Sequence, residues 1–351
     1  MDRHLDGPGP HEQLIDTFGR VHRDLRISVT DRCNFRCTYC MPEEGMQWLP
    51  REEILSFEEI TRIARIFVER FGVDGIRLTG GEPTVRAHLP VLVGKLAALR
   101  VGGDGPPVDV AMTTNGSTLA NQAQALADAG LRRINISLDS LRADRFLALT
   151  RRDELTRVLE GIEAAKAAGL HPVKVNVVLV GGVNDDEVVD FARFGRERDV
   201  TVRFIEFMPL DADAGWQQGK VVPQAEIVRR ISEVFPLEPV VRGSEPAEQF
   251  RYLDRVGDGP ARAGDVVGVI PSVTRPFCAS CDRVRLTAEG QLRNCLFALD
   301  EFDLRAPLRD GAGDDELAAV MRRAVGAKWA GHAIGNVQFI RPRKSMSQIG
   351  G

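Results

Sequence analysis

Hydrophobic and polar residues are arranged in blocks along the first two thirds of the chain, and these blocks predict strands and helices in turn. Residues 25–29 alternate with a period of two, which is typical of a β-strand. Ser56 and Glu59 form a capping-box pair, and apolar residues then recur at helical spacing over residues 60–71. Further strands are predicted near residues 75–79, 108–113, 132–138, 173–179 and 201–207, with helices near 90–99, 118–129, 155–168 and 185–198.

Six strands separated by helices predict a parallel sheet with the helices outside it. Six units are fewer than the eight of a closed (β/α)8 barrel, so we expect an α/β fold with a partial (β/α)6 TIM-like barrel. In barrels of this kind the reacting groups lie at the C-terminal ends of the strands. The first group of cysteines in this chain follows the first predicted strand.

The pattern changes after about residue 235. Glycine and proline become more frequent, short strands are predicted at 249–255 and 266–270, and a hairpin is predicted over 283–294. A helix near 314–327 completes a smaller C-terminal α+β domain. The predicted division is a flexible N-terminal arm over 1–16, the barrel over 17–235, the C-terminal domain over 236–340 and a tail over 341–351 that ends in Gly-Gly.

Composition and charge narrow the class of protein. Of 351 residues, 43% are hydrophobic and 27% are charged, which excludes wholesale disorder. There are 46 basic and 50 acidic residues, so a general nucleic-acid surface is not expected. No apolar run approaches the roughly 20 residues that span a bilayer, and no export signal is recognisable. We therefore expect a cytoplasmic protein that binds neither nucleic acid nor membrane.

Six cysteines give the strongest chemical signal, and they fall in two groups of three. Triplets in a chain of this size do not indicate a disulfide framework. The first group is Cys33, Cys37 and Cys40, with a spacing that is unusual for zinc. Three thiolates on a cubane of four irons would leave one iron available to a small molecule. A zinc knuckle with a distant fourth ligand is the alternative.

The second group is Cys278, Cys281 and Cys295. Two residues separate the first pair, and His332 is available as a fourth ligand. Spacing alone therefore favours zinc at this group, with an iron–sulfur cluster as the alternative.

Two motifs resemble those of the radical S-adenosylmethionine superfamily. They are Cys-x3-Cys-x2-Cys within DRCNFRCTYC and Gly-Gly-Glu-Pro at 80–83, each directly after a predicted strand. Longer segments, among them RRINISLDS, KVNVVLVGGVNDDE and CASCDRVRLTAEGQLRNCLF, resemble the GTP 3′,8-cyclase family of molybdenum cofactor biosynthesis. The resemblance extends from about residue 17 to the C-terminus. It implies a [4Fe–4S] cluster on each cysteine triplet, which outweighs the zinc interpretation of the second group.

The resemblance also implies a lyase reaction and its site residues. A radical made from S-adenosyl-L-methionine would remove hydrogen from C3′ of GTP, and the ribose radical would then attack C8 of guanine. The residues implied to contact S-adenosylmethionine are Tyr39 through its backbone, Gly81, Ser137 and Met208. Those implied to contact GTP are Arg26, Arg77, Thr113, Lys174, Arg203, Arg283, Val284 through its backbone, and Arg285. Gly350 and Gly351 are implied to reach into the active site as catalytic residues.

The cations in this set also have a physical reason. A nucleoside triphosphate carries several negative charges and is bound by grouped Arg and Lys side chains. Arg77, Lys174 and Arg203 lie on three different predicted strands, where an inward cation requires an anion. Ordinary surface arginines paired with neighbouring carboxylates are the alternative. No glycine-rich Walker loop is present in the sequence.

Two other classes of function compete with GTP cyclisation. One is a radical enzyme with an auxiliary cluster, such as a peptide modifier, and the other is a non-enzymatic zinc-binding interaction protein. The terminal glycines have two further interpretations, a flexible end or a conjugation tail. The partners implied by the resemblance are GTP, a reductant for the cluster and a downstream pyranopterin-forming enzyme. A homodimer is allowed.

Overall fold

Alternating apolar residues place six consecutive parallel strands at the centre of the computed structural model. The structure describes residues 12–42, 44–210, 216–241, 245–255, 262–334, 339–342, 344 and 346–349. Strands β1 to β6 are Asp24–Ser28, Gly75–Thr79, Asp109–Thr114, Arg133–Ser137, Val173–Leu179 and Thr201–Glu206. Strands β7 to β12 are Leu237–Pro239, Glu248–Tyr252, Val266–Ile270, Arg283–Leu286, Gln291–Arg293 and Phe302–Asp303.

Helices connect the parallel strands and cover their outer face. Helices α1 to α5 are Phe57–Arg65, Leu89–Ala97, Ala123–Asp128, Ala143–Thr150 and Leu155–Ala167. Helices α6 to α10 are Val188–Arg198, Gln224–Ser232, Arg305–Arg309, Asp314–Gly326 and Met346–Ile349. The capping box predicted at the start of α1 is present, because Ser56 accepts from the Glu59 amide while the Glu59 carboxylate accepts from the Ser56 amide. None of the described helices is long and apolar enough to cross a membrane.

The described strands form one sheet in the order β12-β11-β10-β1-β2-β3-β4-β5-β6-β9-β8-β7. Strand β10 pairs parallel with β1, and β9 pairs parallel with β6. The row of parallel strands therefore continues beyond β1 and β6 at both edges. This arrangement agrees with the expected α/β class and partial TIM-like barrel. The C-terminal strands share the barrel's sheet, and the domain boundary at 235/236 remains a prediction.

The two faces of the parallel strands carry different side chains. On one face, residues such as Leu25, Ile27 and Ile134 are fully buried against the helices. On the other face, polar and cationic residues such as Arg26 and Lys174 line a cavity. Because side chains alternate between faces along a strand, one short segment can supply both the core and the cavity wall.

Several elements differ from the predicted ones. The helix expected over 118–129 is a 3₁₀ turn, Leu119–Asn121, followed by α3, since the backbone at Gln122 is not helical. Helix α6 likewise begins after the 3₁₀ turn Asp185–Glu187. Helix α4 was not predicted. It lacks a side-chain N-cap and ends at Arg151 with a φ of 55°, so the usual capping and glycine signals are missing.

Candidate functional site

The first cysteine triplet lies in the loop that leaves the C-terminal end of β1. Cys33, Cys37 and Cys40 all line the same cavity, and the Cys40 amide donates to the Cys37 carbonyl at 2.9 Å. Burial, together with the nearby Glu82 and Cys40, raises the pKa of the Cys33 thiol to about 12. Burial and the charges of Cys40 and Asp139 also raise the pKa of Cys37. Thiols in this environment favour a bound cation, because a metal centre would offset their negative charge.

The Gly-Gly-Glu-Pro turn after β2 packs directly on the cysteine loop. The Gly81 amide donates to the Thr30 carbonyl at 2.8 Å, and the Glu82 amide donates to the Arg32 carbonyl at 2.8 Å. A Cβ at Gly81 would lie 2.4 Å from the carbonyl oxygens of Asp31 and Arg32. Only glycine fits this approach, so the turn and the loop are held as one unit.

Glu82 connects that unit to the end of β3. Its buried carboxylate accepts from the Thr84 amide and hydroxyl at 3.0 and 2.6 Å, from the Thr114 hydroxyl at 2.6 Å and from the Asn115 amide at 2.6 Å. Burial raises the pKa of Glu82, and these hydrogen bonds oppose that rise. Glu82 also lines the cavity.

The residues assigned to S-adenosylmethionine lie in the same cavity wall. Tyr39, Gly81, Ser137 and Met208 all line the cavity. The Tyr39 hydroxyl donates to Asp139 at 2.5 Å, and the other Asp139 oxygen accepts from the Val178 amide at 2.8 Å. Burial raises the pKa of Asp139 to about 6. The ring of Tyr39 is therefore tied to the ends of β4 and β5.

The second cysteine triplet faces the same cavity from the C-terminal strands. Cys278 and Cys281 flank the turn before β10, while Cys295 follows β11, and all three line the cavity. Buried Lys328 lies beside them, with its Nζ 3.6 Å from the Cys281 sulfur. Burial tends to raise the pKa of Cys281, but the charges of Lys328 and Arg283 outweigh it and the pKa is lowered.

Three arginines lie side by side at one level of three neighbouring parallel strands. The register pairs Arg26 on β1 with Arg77 on β2 and with Arg285 on β10. Burial and the charges of Arg283 and Arg285 depress the pKa of Arg26, and burial with Arg283 lowers that of Arg285 to about 10. Cations that repel one another in this way are stabilised when an anion binds among them.

A second cationic group extends across β4, β5 and β6. Arg203 donates to Asn135 at 2.8 Å and to Asn176 at 2.7 and 3.0 Å. Burial and the charge of Arg77 lower the pKa of Arg203 to about 9. A Cβ at Gly268 would lie 3.0 Å from the Arg203 Cγ, so the glycine leaves room for this side chain.

Lys174 adjoins this group and carries an acidic partner. Its Nζ contacts both carboxylate oxygens of Glu245 at 3.3 Å. Burial and the charge of Arg203 lower the pKa of Lys174 to about 8, although Glu245 opposes the shift.

One cavity of about 360 Å³ brings these groups together. It is lined by both cysteine triplets, by the four residues assigned to S-adenosylmethionine and by Arg26, Arg77, Thr113, Lys174, Arg203, Arg283 and Arg285. The side chain of Val284 does not line the cavity and is fully buried, and the contact expected of its backbone stays a prediction. Gly350 and Gly351 lie outside the described residues.

Sequence reasoning missed several residues of this cavity. Asn135, Asn176 and Glu245 line it, and Lys328 lies behind it. The two asparagines had a detectable signal, since they occupy the same alternating positions of their strands as Ser137 and Lys174. Glu245 and Lys328 are in loops, where no periodicity marks a residue as inward-facing.

The donor sets fit iron–sulfur clusters. Each set consists of three thiols that share one cavity with cations and polar groups. Within the described part of the chain, no group of three or more His, Cys, Asp or Glu side chains, the two cysteine triplets included, is arranged to hold a single metal ion. Cubane clusters are held by thiolates, which is the chemistry these residues offer.

Comparison with known proteins decides the family. Residues 27–195 match the family model described as the radical SAM superfamily, and residues 200–334 match Molybdenum Cofactor Synthesis C. GTP 3′,8-cyclase of Streptomyces coelicolor is 51% identical over 341 residues, which are 96% of this chain and 96% of that protein. The Corynebacterium glutamicum enzyme is 47% identical over 352 residues, 100% of this chain and 92% of that protein. This chain belongs to the GTP 3′,8-cyclase family.

Membership of this family confirms the resemblance carried by the cysteine and glycine motifs. It also brings S-adenosylmethionine and an iron–sulfur cluster as cofactors. Among solved structures, Streptococcus suis SuiB bound to S-adenosylmethionine aligns with a TM-score of 0.55 at 13% identity, over 86% of this chain and 68% of that one. At 13% identity, this similarity shows that the two proteins share a fold and shows nothing more.

Proposed function

We propose that this GTP 3′,8-cyclase family member converts GTP to 3′,8-cyclo-7,8-dihydro-GTP, the first step of molybdopterin biosynthesis. One observation carries the proposal: two cysteine triplets face a single cavity that also holds the buried cations. A cluster-bound cofactor at one triplet and a nucleotide at the other would then be neighbours. Binding both in one place removes the entropic cost of bringing them together during reaction.

The first triplet, Cys33, Cys37 and Cys40, is assigned to the [4Fe–4S] cluster that works with S-adenosylmethionine. When bound, this cluster and S-adenosylmethionine supply the radical chemistry that removes hydrogen from C3′ of GTP. The chain itself holds the loop rigid through Gly81 and Glu82. Tyr39, Gly81, Ser137 and Met208 would contact S-adenosylmethionine and orient it along the cavity wall.

The second triplet, Cys278, Cys281 and Cys295, is assigned to a second [4Fe–4S] cluster at the guanine end of GTP. The cationic groups would bind the triphosphate and ribose, through Arg26, Arg77, Thr113, Lys174, Arg203, Arg283, Arg285 and the backbone at Val284. The Arg283 guanidinium lies over the Phe277 ring at 4.6 Å, which fixes it beside the second triplet. Protein walls around the cavity would exclude water from a reactive intermediate.

The remaining assignments belong to the same proposal. Gly350 and Gly351 would enter the active site as catalytic residues, because residues without side chains can pass close to a bound nucleotide. A cellular reductant would feed the first cluster, and a pyranopterin-forming enzyme would take the product. A cytoplasmic location and an optional homodimer complete the proposal.

The decisive experiment is an anaerobic single turnover with GTP deuterated at C3′. We expect deuterium in the 5′-deoxyadenosine that is formed, because C3′ is the proposed site of hydrogen removal. GTP deuterated at C2′ is the matched control and should leave the 5′-deoxyadenosine unlabelled. Label from C2′, or none from C3′, would show that the assigned step is wrong.

The cluster count is tested separately by iron and sulfide analysis. Two cubanes predict about eight irons per chain, and replacing Cys278, Cys281 and Cys295 by alanine should leave about four. Zinc without sulfide in the wild-type chain would instead support the interaction-protein hypothesis.

The tail is tested by deleting Gly350 and Gly351. We expect loss of product with the iron content and the thermal unfolding temperature unchanged. Full activity in the shortened chain would favour the interpretation of a flexible end.

A further inference from the structure

Lys328 is a buried lysine whose surroundings are sulfur and carbonyl oxygen. Only 4% of its surface is exposed, although lysine is among the residues least often buried. Its Nζ donates to the Arg283 carbonyl at 2.8 Å and lies 3.6 Å from the Cys281 sulfur. Among the described residues, the titratable groups that act on it include the Cys281 and Cys295 thiols, Arg20 and His22. The lysine therefore faces the second triplet with no carboxylate partner in the described chain.

A second cation holds Lys328 in this place. Arg20, from the N-terminal segment, donates to the Cys278 carbonyl at 2.6 Å and to the carbonyls of residues 329–330 at 2.6 and 3.0 Å. Asp16 in turn accepts from the Arg20 Nε at 2.6 Å. Arg20 thus joins the turn that carries Cys278 to the segment that follows Lys328.

The free-energy cost of burying the Lys328 ammonium group indicates that a negative charge compensates for it. A buried ammonium group without an anion is strongly unfavourable, and one neutral carbonyl does not compensate for it. Three thiolates and the cluster they would hold supply the missing negative charge. Hydrogen bonds to the sulfur atoms and the local net charge are among the main determinants of a cluster's reduction potential.

We propose that Lys328 is a positioning residue for the second cluster, where its ammonium group donates to the Cys281 thiolate and offsets the charge gained on reduction. This inference rests on the second [4Fe–4S] cluster of the proposed function. The inference also gives Arg20 a role, which is to hold the segment that follows Lys328 against the second cysteine triplet. Removal of the cation should make the second cluster harder to reduce.

The test isolates the second cluster by replacing Cys33, Cys37 and Cys40 with alanine. In this background about four irons per chain should remain, all of them at the second triplet. The midpoint potential is then measured by redox titration followed by electron paramagnetic resonance. We expect a more negative potential for Lys328→Met and a value near that of the background protein for Lys328→Arg, which keeps the charge.

Lys174→Met is the matched control. Lys174 is a largely buried lysine of the same cavity, yet its partner is Glu245 rather than a thiol. This variant should lower GTP affinity and leave the potential of the second cluster close to that of the background protein.

The outcomes separate the inference from the function on which it rests. A background protein without iron would overturn the second cluster itself. A four-iron cluster with the same potential in Lys328→Met would overturn the role of Lys328 and leave the second cluster in place. If Lys328→Met loses iron and Lys328→Arg keeps it, the positive charge is required and the proposed role of Lys328 is supported. If both variants lose iron, the shape of the lysine rather than its charge is required, and the proposed role is overturned.

Discussion

At the scale of single residues, Lys174 shows how a cation of the cavity is paired in the absence of a ligand. It lies near the cation Arg203, and its ammonium contacts the carboxylate of Glu245. The lysine pKa of about 8 reflects burial and Arg203 more than it reflects Glu245. Burial is the largest cause of the lowered pKa, so a bound polyanion, which would offset the cost of burying the charge, should be preferred to a single carboxylate.

GTP affinity should depend on pH through Lys174. The lysine is charged at pH 7 and loses its proton as the pH rises through about 8, so affinity should fall between pH 7 and 9. Equilibrium dialysis of labelled GTP checks the profile. Lys174→Met should bind GTP weakly at pH 7 and should show no fall in affinity near pH 8. If the variant keeps that fall, another group is responsible for it.

Glu245→Gln should strengthen GTP binding. The substitution keeps the shape of the side chain and removes a negative charge that competes with phosphate for Lys174. Since the carboxylate is 42% exposed, screening limits the gain to about 1 kcal/mol, or roughly fivefold in Kd. Glu226→Gln, whose carboxylate pairs only with Arg229 and Arg230 among the described residues, should bind GTP as the wild type does. Weaker binding by Glu245→Gln would mean that Glu245 contacts the substrate.

The residues of the site were predictable to the extent that a motif or a strand pattern marks them. The cysteines and Gly81 belong to motifs, and inward cations such as Arg203 interrupt apolar alternation. Lys328 was not predictable, because its role depends on the packing of α9 against β11 and β12, which brings the segment after α9 to Arg283 and Cys281. A single sequence carries no local signal for such a contact.

At the scale of elements, the turn after β2 acts as a clamp on the first cysteine loop. Gly81 and Glu82 donate main-chain hydrogen bonds to that loop, and the Glu82 carboxylate fastens the turn to the end of β3. The geometry of the first triplet therefore depends on a neighbouring connection as well as on its own spacing.

Gly81→Ala should disrupt the first triplet. The added Cβ would lie 2.4 Å from two backbone carbonyl oxygens, so the cysteine loop or the turn must move. We expect iron content to fall by about half and product formation to stop, while the second cluster survives. Gly219→Ala is the control, because a Cβ there meets nothing within 4 Å and its φ lies outside the left-handed range. Full iron loading of Gly81→Ala would contradict the clamp.

Elements with strong periodicity were predicted well and those without it were not. Strands β2 and β5 have the predicted bounds, since their apolar alternation is regular. Helix α4 went unpredicted because it has no side-chain cap and no terminal glycine. Its position depends on packing instead, as shown by the fully buried Phe146 in contact with Phe35 of the cysteine loop.

At the scale of the whole molecule, the C-terminal strands complete the sheet at both edges. Strand β10 covers the edge of β1, and β9 covers the edge of β6. They also bring the second triplet and Arg285 to the cavity. Sequence patterns predicted these strands but not their pairing, because register between distant segments leaves no periodic trace.

A fragment of residues 17–235 should not fold as an independent unit. Without β9 and β10 it would expose the long edges of β1 and β6, and exposed edges favour aggregation. Sedimentation and urea unfolding should show association or a non-cooperative transition, in contrast to the full chain. A monomeric fragment with cooperative unfolding would support the predicted boundary at 235/236.

The row formed by Arg26, Arg77 and Arg285 has a consequence for the lifetime of the protein. Because like charges lie at one level of the sheet, the ligand-free molecule is less stable than its nucleotide-bound form. A ligand that binds only the folded chain shifts the unfolding equilibrium toward the folded state. Nucleotide binding should therefore stabilise the folded chain and make it more resistant to proteolysis.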